Sequence, residues 1–305
     1  VKRVLVTGAS GFIGRQTLAP LIERDFEVHA VSRGDSEAAS DPLLEDRRIQ
    51  WHTGDLTEGI GDVVQRIAPT HLLHLAWEVE HGKFWHTERN LHWVEASSRL
   101  LRSFRRAGGQ RVVGAGTCAE YDWTDGNLSE AATPLEPATL YGAAKLALYR
   151  LQTAHARQFE LSSAWGRIFL LHGPYEDPRR LVSSVVSQLL AGRNAETSEG
   201  TQIRDFLHTA DLGSAFAALL DSEVEGPVNL GSGDPTSIRS VVELLGEITG
   251  RRELLRIGAR EAAPNDPPRL LADVERLRSE VGWAPRFSLR EGLEATTSWW
   301  REHLS

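Results

Sequence analysis

Tyr141-Gly142-Ala143-Ala144-Lys145 opens an amphipathic stretch expected as a helix over Leu140–Phe159, so the phenol and the ammonium fall four residues apart on one helix face. A lysine ammonium beside a phenol stabilises the phenolate and draws its pKa down from about 10, which makes the tyrosine a proton donor and acceptor near neutral pH. Thr117, at the end of the strand before it, offers a hydroxyl to hold the reacting oxygen. Taken alone, the Tyr-Lys spacing also describes an ordinary surface pair, so its meaning depends on what accompanies it.

What accompanies it is Thr7-Gly8-Ala9-Ser10-Gly11-Phe12-Ile13-Gly14, directly after the first strand candidate and at the start of the first helix candidate. That context turns a glycine pattern into a dinucleotide fingerprint. Gly8 permits the tight turn, Gly11 lets the backbone approach a pyrophosphate, and Gly14 lets the helix close onto the sheet, while the helix N-terminus contributes partial positive charge. Ser10, Phe12 and Ile13 are carried in the same turn. At the end of the second strand an acidic residue would bind a ribose 2′-hydroxyl and repel a 2′-phosphate. Here the chain reads Val31-Ser32-Arg33-Gly34. A hydroxyl at Ser32 and a guanidinium fork at Arg33 favour NADP (as NADPH) over NAD. The opposing reading, Arg33 as a solvated loop residue, draws on the neighbouring Asp35.

These groups need a scaffold, and the chain supplies one. Short apolar runs at Arg3–Val6, Glu27–Val31, Ile49–His52, His71–Leu75, Arg111–Ala115 and Ser163–Phe169 alternate with helical patterns at Phe12–Arg24, Ile60–Ile67, Phe84–Ala107 and Leu140–Phe159. Nearly continuous apolar strands separated by helices specify a doubly wound parallel α/β sheet of the Rossmann type, buried on both faces. After Gly173-Pro174 the alternation becomes irregular, with helices expected at Leu181–Leu190, Leu212–Leu220, Ile238–Thr249, Val274–Val281 and Leu289–His303, and a polar stretch at Arg193–Thr201. The expected division is a dinucleotide-binding domain of residues 1–170 with 205–230, and a smaller, mostly helical substrate lobe of residues 171–204 with 231–305.

Composition narrows the functional classes. At 305 residues with 41% hydrophobic and 25% charged side chains, the chain is an ordinary globular protein rather than a disordered or fibrous one. A formal charge of −8 repels nucleic acid and anionic membranes. The lone Cys118 makes no internal disulfide, and the opening Val-Lys-Arg-Val-Leu-Val reads as a strand rather than a secretory signal, so a reducing cytoplasm is expected.

The combination of fingerprint and Tyr-x-x-x-Lys resembles the extended short-chain dehydrogenase/reductase family, within it the nucleotide-sugar epimerases, dehydratases and 4-ketoreductases. Further motifs are similar in order along the chain. Gly54-Asp55-Leu56 resembles the family's adenine-contacting turn, and His74-Leu75-Ala76, continuing to Trp77, the loop after strand four that runs under the cofactor. Thr117, Tyr141 and Lys145 match the catalytic trio. Arg204-Asp205-Phe206 resembles the element whose arginine grips a nucleotide-sugar diphosphate, and Arg180, ahead of Leu181, stands where relatives approach the same group. Asn229-Leu230-Gly231, Ala272-Asp273 and Gly282-Trp283-Ala284-Pro285 repeat the C-terminal pattern. Two departures stand out. The Asp-Glu pair that follows the threonine in sugar 4,6-dehydratases is Cys118-Ala119 here, which leaves dehydration without its acid and base. Leu170 replaces an asparagine, and Ala263 stands in the place of a second diphosphate arginine, for which Arg260 or Arg269 would have to substitute.

The resemblance implies NADPH-dependent reduction of a keto group, at C4, on a nucleoside-diphosphate deoxysugar, with Tyr141 as proton donor. The alternatives are a nucleotide-sugar epimerase that retains NAD and a catalytically silent nucleotide-binding relative. Among the remaining signals, His71, His74, His81, His86 and His92 lack the spacing of a metal site, and no metal is expected. His81 and His86, with Trp77 and Trp85, are candidates for the wall of a substrate pocket. Trp299 and Trp300 are assigned to packing. Arg99, Arg102, Arg105 and Arg106 form either a solvated helix face or a subunit contact, which leaves a homodimer open.

Overall fold

The structure, a computed structural model, describes residues 2–34, 44–262, 264 and 266–304. Asp35 and Ala263 lie outside the described residues. The first half runs β1 (Lys2–Thr7), α1 (Gly14–Glu23), β2 (Phe26–Ser32), β3 (Ile49–Thr53), α2 (Gly61–Ile67), β4 (His71–His74), α3 (Arg89–Arg106), β5 (Arg111–Thr117), β6 (Asn127–Leu128), α4 (Leu140–Gln158), β7 (Ser162–Ile168) and β8 (Leu170–His172). The rest runs α5 (Leu181–Leu190), β9 (Ala195–Thr197), β10 (Ile203–His208), α6 (Thr209–Asp221), β11 (Gly226–Leu230), β12 (Pro235–Ser237), α7 (Ile238–Thr249), β13 (Leu255–Ile257), β14 (Arg269–Ala272), α8 (Glu275–Ser279) and α9 (Leu289–His303).

Seven strands form one parallel sheet in the order β3-β2-β1-β4-β5-β7-β11, the doubly wound arrangement that the alternation of strands and helices specifies. Successive side chains of a strand leave by opposite faces. Accordingly Val4 and Val6 join Leu18 and Leu21 of α1 and Leu212 and Phe216 of α6 in one cluster. Leu5 instead joins Val64 of α2, Leu100 and Phe104 of α3 and Leu148 of α4 in another. The register aligns the C-terminal ends of the central strands: Thr7 lies opposite His74, and Thr117 opposite Ile168. A smaller sheet, β12-β10-β14-β6 with β8 alongside β10, joins the second half of the chain to β6. Helices α5, α7 and α9 enclose a third cluster around Val186, Leu245, Leu293 and Trp300, which agrees with the packing role expected for Trp299 and Trp300.

Several expected boundaries move. The helix expected from Phe84 begins at Arg89, because the buried Asn90 amide donates to the carbonyls of Phe84 at 2.8 Å and Thr87 at 2.9 Å and holds residues before it in turns. The helix expected from Phe12 begins at Gly14, leaving Phe12 and Ile13 in the turn. The polar stretch Arg193–Thr201 contains a strand, β9, paired with β13. The run Ser163–Phe169 stops at Ile168 and restarts as β8, which pairs with β10 instead of the main sheet.

Candidate active site

A cavity of about 970 Å³ opens along the C-terminal edge of the sheet, where doubly wound folds bind ligands. The glycine turn forms one end. Gly8 has φ +72°, and a Cβ there would lie 2.8 Å from the Ala76 nitrogen; a Cβ on Gly14 would lie 2.0 Å from the Gly8 carbonyl oxygen. Only glycine permits this approach of helix, turn and the strand-four loop. Ser10, Gly11, Phe12 and Ile13 complete that end of the wall, with Ser32, Arg33, Asp55 and Leu56 beyond them and Leu75, Ala76 and Trp77 across from β1. The residues present therefore fit an extended dinucleotide.

The ends of β1 and β4 are locked together. Thr7 Oγ1 is 2.7 Å from His74 Nδ1, and His74 Nε2 is 2.8 Å from Ser97 Oγ. Ser32 donates its hydroxyl to the Gly34 carbonyl at 3.1 Å, so it braces the loop that carries Arg33. Asp55 is held below the usual carboxylate range, first by hydrogen bonds from Thr57, with the Arg33 charge adding to the effect.

Thr117 and Tyr141 both reach the cavity wall. Thr139 caps α4 by accepting from the Gly142 N–H at 3.1 Å, which places Tyr141 in the first helical turn. The Tyr141 N–H donates to the Trp85 carbonyl at 3.0 Å, and its ring stands edge-on to Phe84 and Trp85 at 4.9 and 5.7 Å. Burial pushes the phenol above its ordinary pKa; a hydrogen bond with Thr117 and the Arg180 charge pull it back. Lys145, one turn further, is buried and donates from Nζ to the Ala115 carbonyl at 3.0 Å. Burial draws the ammonium down to about 7, with Glu120 opposing. A buried phenol with a hydroxyl beside it on the cavity wall can return a proton to a carbonyl oxygen and, once ionised, accept one from a sugar hydroxyl.

Glu120 escaped the sequence reading, although Thr117-Cys118-Ala119-Glu120 carries a capping-box signature. Its carboxylate accepts the Thr117 N–H at 2.9 Å and the Trp165 indole N–H at 2.9 Å, and pairs with Arg167 Nε at 2.8 Å, all fully buried. The acid therefore anchors the strand end bearing Thr117 and turns away from the cavity. Cys118 does line the cavity, with its thiol pushed up to about 12 by burial, so it is no nucleophile.

At the other end, Arg180 stands at the N-terminal boundary of α5, makes no side-chain capping bond and lines the cavity. Leu181 follows it in the helix and does not form the wall. Arg204, buried on β10, gives its guanidinium to Asp266 at 2.6 Å and to the Ile203 carbonyl, so Asp266 forms the wall in its place. Of the proposed substitutes, Arg260 pairs with Glu196 and Arg269 bonds Asn127. Trp77 and Trp85 line the cavity, whereas His81 and His86 do not. Tyr175, Trp93 and Trp123 also line it, and no motif marked them in advance. Among the described residues no group of three or more His, Cys, Asp or Glu could hold a metal ion, and no helix is long and apolar enough to cross a membrane.

Comparison with known proteins agrees with this fold. The chain is 29% identical over 312 residues to a UDP-glucose 4-epimerase of Corynebacterium glutamicum, covering 94% of this chain and 92% of that protein. It is 27% identical to a dTDP-glucose 4,6-dehydratase of Streptomyces griseus, covering 99% and 95%. Among solved structures, MoeE5 in complex with UDP-glucose and NAD superposes with a TM-score of 0.84 at 32% identity over 99% of this chain and 100% of that one; MoeE5 was also solved with UDP-glucuronic acid and NAD. Residues 4–231 match the model of the NAD dependent epimerase/dehydratase family. With that match spanning most of the sequence and the parallel sheet superposing on MoeE5, the chain belongs to the NAD dependent epimerase/dehydratase family.

Proposed function

We propose that this protein is a nucleotide-sugar 4-epimerase acting on a UDP-hexose or UDP-hexuronate with a retained NAD. The observation that carries this reading is the Tyr141 phenol, which lines with Thr117 the same cavity as the glycine turn, beside Cys118 and Ala119 where a dehydratase needs carboxylates. The similarity to a UDP-glucose 4-epimerase and to MoeE5 supports the substrate class. A nicotinamide bound in the cavity would supply the hydride acceptor and donor. Tyr141 takes the proton of the C4 hydroxyl as the phenolate on oxidation and returns it as the phenol on reduction, while the Thr117 hydroxyl holds the oxygen between the two steps. Lys145 biases the phenol towards its anionic form. Arg180, whose charge reaches Tyr141, is suited to a diphosphate or to a sugar carboxylate. The buried thiol of Cys118 is in keeping with a reducing cytoplasm.

One observation favours a second reading. Arg33 lines the cavity where an acidic residue would select NAD, as an NADPH-dependent 4-ketoreductase would require. The deciding experiment gives the purified protein UDP-glucose and, separately, UDP-glucuronic acid with no added cofactor, and follows the C4 epimer by NMR. Interconversion, with NAD released on denaturation, is expected. If instead a 4-keto-6-deoxy nucleotide sugar oxidises NADPH stoichiometrically, no epimer forms, and Arg33→Ala loses a preference for NADPH worth about 1.5–3 kcal/mol, the reductase reading replaces it.

A further inference from the structure

The lysine of the site has an unusual surrounding. Its side chain is buried, and among the described residues its one hydrogen bond is to the Ala115 carbonyl, leaving two N–H donors of the ammonium to be accommodated otherwise. Among the described residues no carboxylate pairs with it. Glu120, in the turn after β5, favours its charge electrostatically but is committed to Arg167. His74, at the end of β4, is held neutral by burial and by the Lys145 charge itself, and Tyr141 on the same helix carries a neutral phenol.

A further neighbour of the ammonium is an indole. Lys145 Nζ lies 4.0 Å from the ring centroid of Trp77, the distance at which the negative face of an aromatic ring attracts a cation, most strongly where water is excluded. The ring is held in position: its Nε1 donates to Asn90 Oδ1 at 3.0 Å, the Asn90 amide in turn ties Phe84 and Thr87, and the indole stacks on Trp93 at 6.0 Å.

We propose that Trp77 is a positioning residue for the proton-transfer site: its indole face stands in for a counter-ion and holds the Lys145 ammonium charged and in place one helical turn from the phenol. The proposal rests on the epimerase reading for its consequence in turnover but not for its test. Burial pulls the lysine down to about 7, so loss of the aromatic face leaves it neutral in the working range. The fold reserves an aromatic side chain here for electrostatic reasons as well as for packing.

The chain has three lysines, Lys2, Lys83 and Lys145, and the first two are exposed on the surface, so ε-13C-lysine labelling yields three NMR signals of which the buried one is Lys145. Its titration is followed in the native protein and in Trp77→Phe and Trp77→Leu. The midpoint is expected to fall by about one pH unit in Trp77→Leu and by less in Trp77→Phe, whose ring keeps a weaker negative face and most of the packing. In parallel, the basic limb of kcat/KM against pH moves to lower pH by the same amount. An unchanged Lys145 midpoint in both variants overturns the proposal. Absence of turnover with every UDP-sugar in the native protein refutes the epimerase reading instead, because the NMR titration needs no turnover.

Discussion

Glu120→Gln tests how the end of β5 is held. The native carboxylate is 0% exposed and gathers three donors, the Thr117 N–H, the Trp165 indole N–H and Arg167 Nε, at 2.8–2.9 Å. Glutamine keeps one acceptor oxygen but presents its own N–H to a cluster of donors and leaves the Arg167 charge uncompensated at 0% exposure. Breaking a buried pair from one side costs about 3–5 kcal/mol. Against a net stability of about 5–15 kcal/mol this is a large fraction, and with a urea m-value of about 3 kcal/mol/M it moves the unfolding midpoint down by about 1–2 M. Arg167 also donates to the Tyr121 hydroxyl at 2.9 Å, so Arg167→Met is costly too. If the pair is the coupled unit, the double variant is destabilised by clearly less than the sum of the singles. A Glu120→Gln cost below about 1 kcal/mol, or strictly additive singles, refutes this account.

Three further outcomes are expected. Tyr141→Phe lowers turnover by about 10²–10⁴-fold while the nucleotide recovered on denaturation stays at the native level; turnover near that of the native protein removes the phenol from the mechanism. Gly14→Ala drives a Cβ to within 2.0 Å of the Gly8 carbonyl, so α1 must separate from the turn, and isothermal titration should show dinucleotide affinity lost; unaltered affinity contradicts the close-approach argument. Acid unfolding follows the buried histidines: burial lowers His74 and His172 to about 3 and His208 to about 4, below the unfolded value of about 6.5, so the unfolded chain takes up protons that the native chain refuses. Glu176, pushed up to about 7 by burial, works in the opposite sense with one proton. Stability is therefore expected to fall as pH drops from about 6.5 to 4.5, by about 3 kcal/mol per unit at the steepest, and urea melts showing constant or rising stability over that window exclude it.

What could be read from the sequence was what local chemistry dictates. The glycine turn, the i, i+4 phenol and ammonium and the apolar strand runs each depend on a handful of adjacent residues, and strand and helix periods transmit them directly to the sheet, the turn and the first turn of α4. Thr117, Tyr141, Arg33, Trp77 and Arg180 consequently line one cavity. Tertiary structure decided the partners drawn from distant parts of the chain. Arg204 is engaged by Asp266, 62 residues away, Glu120 meets Arg167 across 47, and strands β8 and β10 pair with each other instead of extending the main sheet. Trp77 meets Lys145 because β4 and β5 lie side by side and α4 returns over them. A buried charge must find its counterpart wherever the fold brings one near, so such pairings follow from register and layer packing, which no local pattern encodes.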